Sequence, residues 1–305
     1  MRINPVYLKE LKTSVRTMKT SMILLGYNGL LALFGLFAFL IIFRFDIRNG
    51  GVIEYAAILK VYFIIGAVEF ALMLFIIPSI TAASIASERE KQTLELLLIT
   101  KQSPLQVIIG KLLSSISTMV LLAFSSLPIL ALVFSIGGIS ISDLLEFMIL
   151  IIVTAIYIGS IGLFFSTLFK KTTFATVSTY GSVLFLTIGT LVILWGISLL
   201  YQFNVSDSLR GYESGDIGNL LYFLLINPAI TCFSMIESQI GTGSSFIEFF
   251  SYFGTISGNV LNYWFIISLI VQLTISGILI WISSLLLDPL RKKSYKGNKG
   301  IGKKD

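Results

Sequence analysis

Six long apolar runs constrain the fold of this chain more than any other feature of its sequence. They cover residues 22–43, 61–83, 107–136, 144–169, 174–201 and 263–287. A helix needs roughly 20 apolar residues to cross the hydrocarbon core of a bilayer, so each run is long enough to span it. Composition agrees, because 55% of the residues are hydrophobic, only 12% are charged and the mean hydropathy is +0.92. The sequence therefore predicts an all-α polytopic membrane protein with six transmembrane helices.

Several classes of chemistry lack their usual residues in this sequence. It has no histidine and a single cysteine, Cys232, which removes His-based catalysis and His or Cys metal sites. It also has no phosphate-binding P-loop, since Gly110-Lys111 is followed by leucine and lacks the upstream glycine. We therefore expect no catalytic residues, no metal and no cofactor in this chain. Any ATP that drives it must be hydrolysed by another chain.

The net charge of +6 does not indicate nucleic acid, because the basic residues lie beside the spans. One face of a six-span arrangement, with both termini on the same side, collects nearly all of them. They are Arg2, Lys9, Lys12, Arg16, Lys19, Arg89, Lys91, Lys101, Lys111, Lys170, Lys171, Arg291, Lys292, Lys293, Lys296, Lys299, Lys303 and Lys304. The other face keeps Arg44, Arg48, Lys60 and Arg210. The positive-inside rule therefore predicts a multi-pass protein of the cell membrane with cytoplasmic termini.

The segments outside the spans divide into three kinds. Residues 1–21 carry a basic stripe beside apolar residues at helical spacing, which predicts an amphipathic interfacial helix whose Lys9, Lys12, Arg16 and Lys19 contact the membrane surface. Segment 202–262 is predicted to be extracellular and to hold short re-entrant or interfacial helices, because its apolar runs at 220–226 and 246–253 cannot span. We hypothesise that the run 246–253 gates the exit of the substrate. A basic cytoplasmic tail, 288–305, ends the chain.

The segment 84–106, between the second and third runs, is the one long charged insert between two apolar runs. Helical spacing places Glu88, Lys91, Gln92 and Glu95 on one face and leucines on another, which predicts an amphipathic helix lying against the membrane. Ser87 with Glu90 has the form of a capping box, and the helix is expected to end near Thr100. An ordinary solvated loop is the alternative interpretation.

A second helix start is predicted within the same insert. Ser103-Pro104 followed by Gln106 combines a capping residue, proline at the first helical position and a glutamine that can bond back to the cap.

Glu69 is the acidic residue well inside an apolar run. A carboxyl group in lipid must face protein or water, or be protonated. Two interpretations stay open at this point: a contact in a translocation path, or a hydrogen bond to Ser, Thr or Asn on a neighbouring span.

Three stretches of this chain resemble the permeases of the type 2 ABC transporters, the exporter-type permeases with six spans per subunit. The first is the opening Asn4-Pro5-Val6 with Lys9-Glu10-Leu11 and Arg16, similar to the family's connecting helix. The second is Ala86-Ser87-Glu88-Arg89-Glu90-Lys91 with Thr93-Leu94-Glu95-Leu96-Leu97-Leu98, similar to its segment after the second span, followed by Gly110-Lys111. The third is the topology, with a long outer segment before the last span.

The resemblance implies a permease that pairs with a second permease, identical or related, and with two cytoplasmic ATP-binding subunits that bind ATP and Mg²⁺. It implies that the insert is a cytoplasmic coupling helix whose side chains dock in a groove of the ATPase. Those side chains would be Glu88, Arg89, Glu90, Lys91, Thr93 and Glu95. Closure of the ATPase pair would then tilt the spans. Glu88 and Glu90 also have a local interpretation, favouring a helix N-terminus through its dipole.

Three other classes of protein are alternatives to the permease. A secondary transporter driven by an ion gradient would need several intramembrane ionisable groups, of which Glu69 is the clear candidate. An intramembrane enzyme would need a catalytic constellation, which the spans lack. The alternative of a membrane sensor or scaffold stays open. The substrate is not specified by any of these residues.

Overall fold

The computed structural model describes residues 7, 18–48, 55–94, 103–137, 140–206, 218–241, 244–254 and 256–287. Regular structure in this part of the chain is helical. The first helices are α1 (Met18–Arg48), α2 (Tyr55–Thr81), α3 (Ala86–Glu90), α4 (Pro104–Gly137), α5 (Ile141–Leu168) and α6 (Thr172–Leu184). A π-helical turn (Phe185–Gly189) joins α6 to α7 (Thr190–Ser206). The outer helices are α8 (Gly218–Leu221), a 3₁₀ turn (Tyr222–Ile226), α9 (Pro228–Ile240), α10 (Ser244–Ser251) and α11 (Gly258–Asn262), followed by α12 (Trp264–Leu287).

Six helical stretches are long and apolar enough to cross a membrane, which confirms the predicted fold class. They are Thr20–Ile42, Leu59–Glu90, Pro104–Ala131, Ile141–Leu168, Thr172–Leu200 and Trp264–Leu287. A seventh apolar stretch is bent by 96° where Gly218–Ile226 meets Pro228–Ile240, the geometry of a broken span or a re-entrant loop.

Helix α5 is the centre of the bundle. It contacts α2, α4, α6, α9 and α12, and most of its side chains are buried. Helices α1, α7 and α12, by contrast, present many large apolar side chains to the outside, among them Phe37, Trp195 and Trp281. Helix α5 is therefore surrounded mainly by protein, whereas α1, α7 and α12 each face lipid on one side.

Two glycines of α5 allow close packing, Gly162 against the end of α2 and Gly159 against α4. A Cβ atom added to Gly162 would overlap Thr81 Oγ1 and lie 3.3 Å from the backbone nitrogen of Ala82, and one added to Gly159 would lie 2.9 Å from Leu112 Cδ1. The glycines of the fifth span make no such contact with another helix in the described part of the chain. A Cβ at Gly181 or Gly196 meets no atom within 4 Å, and one at Gly189 meets only Phe185 of its own helix.

Asn227 holds the bent outer segment against the fifth span. Its Oδ1 accepts hydrogen bonds from the backbone N–H groups of Ala229 and Ile230, which caps α9, where Pro228 is the first residue. Its Nδ2 donates to the backbone oxygen of Thr187, inside the π-helical turn, and to Thr190 Oγ1. No pattern in the run 174–201 indicates this π-helical turn.

An aromatic cluster packs the outer helices onto the start of α12. Phe246, Phe250 and Trp264 are buried together, with ring centroids 4.8 Å apart for Phe246–Phe250 and for Phe250–Trp264. Leu287, at the other end of α12, is buried beside Ile85, next to α3. The outer helices and α3 therefore lie at opposite ends of the bundle.

The predicted N-terminal interfacial helix falls mostly outside the described residues, as do Lys9, Lys12, Arg16 and the tail 288–305. Tyr7 is helical and its Oη lies 3.1 Å from Ser117 Oγ of α4. Lys19 lies within α1, but its side chain is not among those described. Contact of these four basic residues with the membrane surface remains a prediction.

Candidate functional site

Helix α3 begins at Ala86, and its first N–H groups are satisfied by another helix. The backbone nitrogens of Ile85 and Ala86 each donate to Ser166 Oγ of α5, both at 2.9 Å. The expected capping box of Ser87 with Glu90 is wrong, because Ser87 lies inside the helix and the cap comes from a residue about 80 positions away. This hydroxyl fixes the start of α3 to the buried end of α5.

Helix α3 ends at Glu90, so the helix expected to run to about Thr100 is interrupted. Gln92 has φ 58°, a left-handed conformation. Its N–H donates to the backbone oxygen of Arg89, and the N–H of Thr93 donates to that of Glu88. These two bonds form a Schellman motif, whose left-handed position is usually glycine. Consequently Glu88, Lys91 and Gln92 do not form one continuous helical face.

Glu88 faces into the protein and pairs with Lys111 at the start of the third span. The distance from Lys111 Nζ to Glu88 Oε1 is 2.8 Å, and the same Nζ donates to the backbone oxygen of Ser84 at 2.9 Å. The Lys111 side chain is 4% exposed and that of Glu88 23% exposed. Because both charges are largely removed from water, each depends on the other for compensation.

Arg89 and Glu90 connect α3 to the junction of the fourth and fifth spans. The Arg89 guanidinium donates to the backbone oxygens of Thr167 and of Phe169, the C-cap of α5, both at 3.1 Å. The Glu90 carboxylate accepts a 2.8 Å bond from the backbone nitrogen of Thr172 at the start of α6, and bonds from its hydroxyl. A cation at a helix C-terminus and an anion at a helix N-terminus are each favoured by the helix dipole.

The exposed surface in this region comprises Glu90, the last residue of α3, and the turn that follows it. The exposed residues of the turn are Lys91, Gln92 and Thr93. Leu94 is buried with Val107 and Leu112 of α4, while Glu95 lies outside the described residues. Docking of the six predicted contact residues on a partner remains a prediction, and three of them, Glu88, Arg89 and Glu90, already bind within the chain.

The predicted helix start at the end of the insert is confirmed. Helix α4 begins at Pro104. The N–H of Ser103 donates to Gln106 Oε1 at 3.2 Å, and the N–H of Gln106 donates to Ser103 Oγ at 3.3 Å. This is a reciprocal capping box with proline in the first helical position.

Glu69 is fully buried among α1, α2 and α4. Its Oε1 accepts a 2.5 Å bond from Ser126 Oγ and a 3.2 Å bond from Tyr27 Oη, so a serine of a neighbouring span binds this carboxyl group. Its Oε2 has no hydrogen-bond partner in the described part of the chain. Hydrogen bonds to this carboxyl group thus connect α1, α2 and α4.

Two residues that position α3 were not predicted from the sequence to do so. The sequence places Lys111 on the basic face and in the Gly110-Lys111 pair, although a lysine opening a span opposite an insert that contains glutamates signals an ion pair. Ser166 carries no such signal, because it is a single hydroxyl in a long apolar run. Its contact to Ile85 and Ala86 depends on how the helices pack.

The architecture defines the class of protein: an all-α, multi-pass membrane protein whose charged segment after the second span is bonded to three other spans. A family model described as ABC-2 family transporter protein matches residues 49–286, and the chain belongs to this family. The chain is therefore a membrane-spanning permease of an ABC transporter, a transport subunit that is not itself catalytic. The match includes the charged insert, whereas the resembling stretch at the N-terminus lies before it. A comparison with the curated proteins found no match.

Proposed function

We propose that this chain is the permease subunit of an exporter, driven by ATP hydrolysed on separate cytoplasmic subunits. Membership of the ABC-2 family supports this, because its permeases work with an ATP-binding partner. In the complete transporter, two ATP-binding subunits hold ATP and Mg²⁺, and a second permease, identical or related, completes the pathway. The protein lies in the cell membrane with its termini and α3 on the cytoplasmic side, as its basic residues indicate.

The observation that carries the mechanism is the set of bonds between α3 and three other spans. Glu88 binds α4 through Lys111, Arg89 binds the end of α5, and Glu90 binds the start of α6. Force applied to α3 by an ATPase would therefore reach the third, fourth and fifth spans without a flexible connection. The motor contacts the exposed turn of Lys91, Gln92 and Thr93, while the buried side of α3 transmits the displacement.

Site-specific crosslinking tests this assignment. A photoreactive amino acid replaces Lys91 or Thr93 in one pair of variants and Tyr263, exposed at the opposite end of the bundle, in the control. We expect crosslinks from the first two positions to a subunit that mass spectrometry identifies as a P-loop ATPase, and none from the third. Membranes containing the Lys91 and Thr93 variants should also show ATPase activity that copurifies with the tagged chain.

Two outcomes would favour the other classes. Recovery of the intact chain without any ATPase would indicate a gradient-driven transporter, with Glu69 as the first residue to replace. Recovery of an ATPase without any transport of substrate, in liposomes that contain the whole complex, would indicate a sensor or scaffold. Crosslinking to the ATPase only from position 263 would contradict the proposed orientation.

A further inference from the structure

An open cleft lies on the outer end of the molecule, away from α3 and from the buried carboxyl group of Glu69. Its volume is about 450 Å³ and it is lined by Glu248, Phe249, Tyr252 and Phe253. These positions are two adjacent pairs four residues apart, so α10 and the turn after it place them on one face. The turn is closed by bonds from the N–H groups of Phe253 and Gly254 to the backbone oxygen of Phe250.

The three rings that line the cleft are in edge-to-face contact with one another. Phe249 and Phe253 have centroids 5.4 Å apart and planes at 61°, and Tyr252 and Phe253 have centroids 5.3 Å apart and planes at 80°. Phe249 is supported from behind by Phe233 of α9 at 6.3 Å. The walls of the cleft therefore belong to the packed outer cluster, although Tyr252 itself is 65% exposed.

The lining selects a chemical class of ligand. Aromatic faces are electron-rich and attract cations, most strongly those that shed water easily, such as alkylammonium groups. The carboxylate of Glu248 adds a negative charge on the same face and disfavours anions. A single carboxylate supplies too few oxygen ligands for Ca²⁺ or Mg²⁺, which require six or more in total.

We propose that this cleft binds an organic ammonium group, which lies against the rings of Phe249, Tyr252 and Phe253 and is neutralised by Glu248. Two sources supply this chemistry: the choline headgroup of a membrane lipid and a free quaternary ammonium ion. The proposal does not depend on the transport function or on the ATP-binding partner.

The purified full chain in nanodiscs of phosphatidylglycerol, which lack choline, provides the test for a free ion. Choline chloride is titrated and its methyl signal is followed by saturation-transfer NMR, with dimethylbutanol, the uncharged carbon isostere of choline, as the matched ligand. We expect saturable binding of choline only. Tyr252→Leu and Glu248→Gln should each raise its Kd about five- to tenfold, whereas Tyr252→Phe should stay within about twofold of wild type.

The lipid source is tested with the same variants in mixed nanodiscs that contain phosphatidylcholine. Native mass spectrometry should show phosphatidylcholine retained by wild type and lost from Tyr252→Leu. Tyr263→Leu, which removes a tyrosine of similar exposure outside the cleft, is the control for both arms. Binding in either arm supports the proposal and identifies the source. Absence of binding in both arms, equal binding of dimethylbutanol, or an equal loss in Tyr263→Leu overturns it, and the melting temperature of each variant identifies those that fail to fold.

Discussion

Glu88 illustrates how a charged residue near a membrane surface can be committed to internal structure. Its position in a charged insert suggests a partner contact, yet its carboxylate is paired with a lysine that is almost fully buried. A substitution at this residue would therefore alter the shape of α3 as well as any surface it offers. Experiments on partner docking are better directed at Lys91 and Thr93, which are exposed.

Removing one member of the Glu88–Lys111 pair should be more damaging than removing both. Glu88→Ala leaves a buried ammonium group without its carboxylate, and we expect a loss of about 3 kcal/mol in the free energy of unfolding. Glu88→Leu combined with Lys111→Met should recover much of this loss, since no charge remains buried. Thermal unfolding in detergent measures both, with Lys91→Ala as a surface control expected within about 0.5 kcal/mol of wild type. A double variant less stable than Glu88→Ala would contradict the argument.

The Glu69 cluster gives a second prediction for single residues. Ser126→Ala removes the shorter of the two bonds to a fully buried carboxyl group, and we expect it to cost about 1–3 kcal/mol. In a Glu69→Leu background the same change should cost much less, because the group that the serine serves is gone. Equal losses in both backgrounds, measured by thermal unfolding, would mean that Ser126 acts through another contact.

At the scale of the elements, the α2–α5 contact depends on the absence of a side chain. Gly162→Ala would force a methyl group into Thr81 and against the backbone of Ala82, and we expect a loss of about 2–4 kcal/mol. Gly181→Ala, in a helix position where the added carbon meets nothing, should be neutral or slightly stabilising within the isolated chain. Thermal unfolding of the two variants compares them directly.

A second-site change tests the cause. Thr81→Ala removes the overlapping hydroxyl but keeps its Cβ, which lies 2.9 Å from the added carbon, so it should rescue Gly162→Ala only in part. If Gly162→Ala alone is as stable as wild type, α2 and α5 can move apart without a loss in the free energy of unfolding.

Asn227 stabilises the contact between the outer segment and the fifth span in two ways. Its side-chain oxygen caps α9, and its side-chain nitrogen donates to the π-helical turn and to Thr190. Asn227→Ser keeps an oxygen able to cap α9 and removes both amide donors to the π-helical turn, so we expect a loss of about 2 kcal/mol. Asn227→Ala also removes the cap and should cost about 1 kcal/mol more. Ser103→Ala, which removes the hydroxyl that accepts the N–H of Gln106 at the exposed start of α4, serves as the control for loss of a cap alone. Equal stability of Asn227→Ser and wild type would show that the bonds to Thr187 and Thr190 contribute nothing.

The helices also show which structural features can be predicted from a sequence pattern and which cannot. The six spans could be predicted because burial in lipid requires long apolar runs, and the helix start at Pro104 because its bonds join residues three apart. The early end of α3 could not, since the left-handed position is held by Gln92 without the usual glycine. The Ser166 cap and the π-helical turn depend on neighbouring helices far along the chain, and no local pattern encodes them.

For the whole molecule, the orientation in the membrane is the first property to measure. In a Cys232→Ser background, which has no cysteine, Lys91→Cys is expected to react with an impermeant maleimide only in inverted vesicles, and Tyr263→Cys only in intact cells. Phe37→Cys, on the apolar outer face of α1, is the control expected to react in neither. Labelling of position 91 in intact cells would reverse the orientation that the basic residues indicate.

The central place of α5 has a consequence for biosynthesis. This helix is made fourth, yet one of the faces that it buries is covered by α12, the last of the six spans to leave the ribosome. Until α12 has been inserted, the face of α5 that it covers is open, and Gln272 is not yet available to donate to Thr231 of α9. A chain that stops before α12 would therefore reach the membrane and still be a substrate for quality-control proteases.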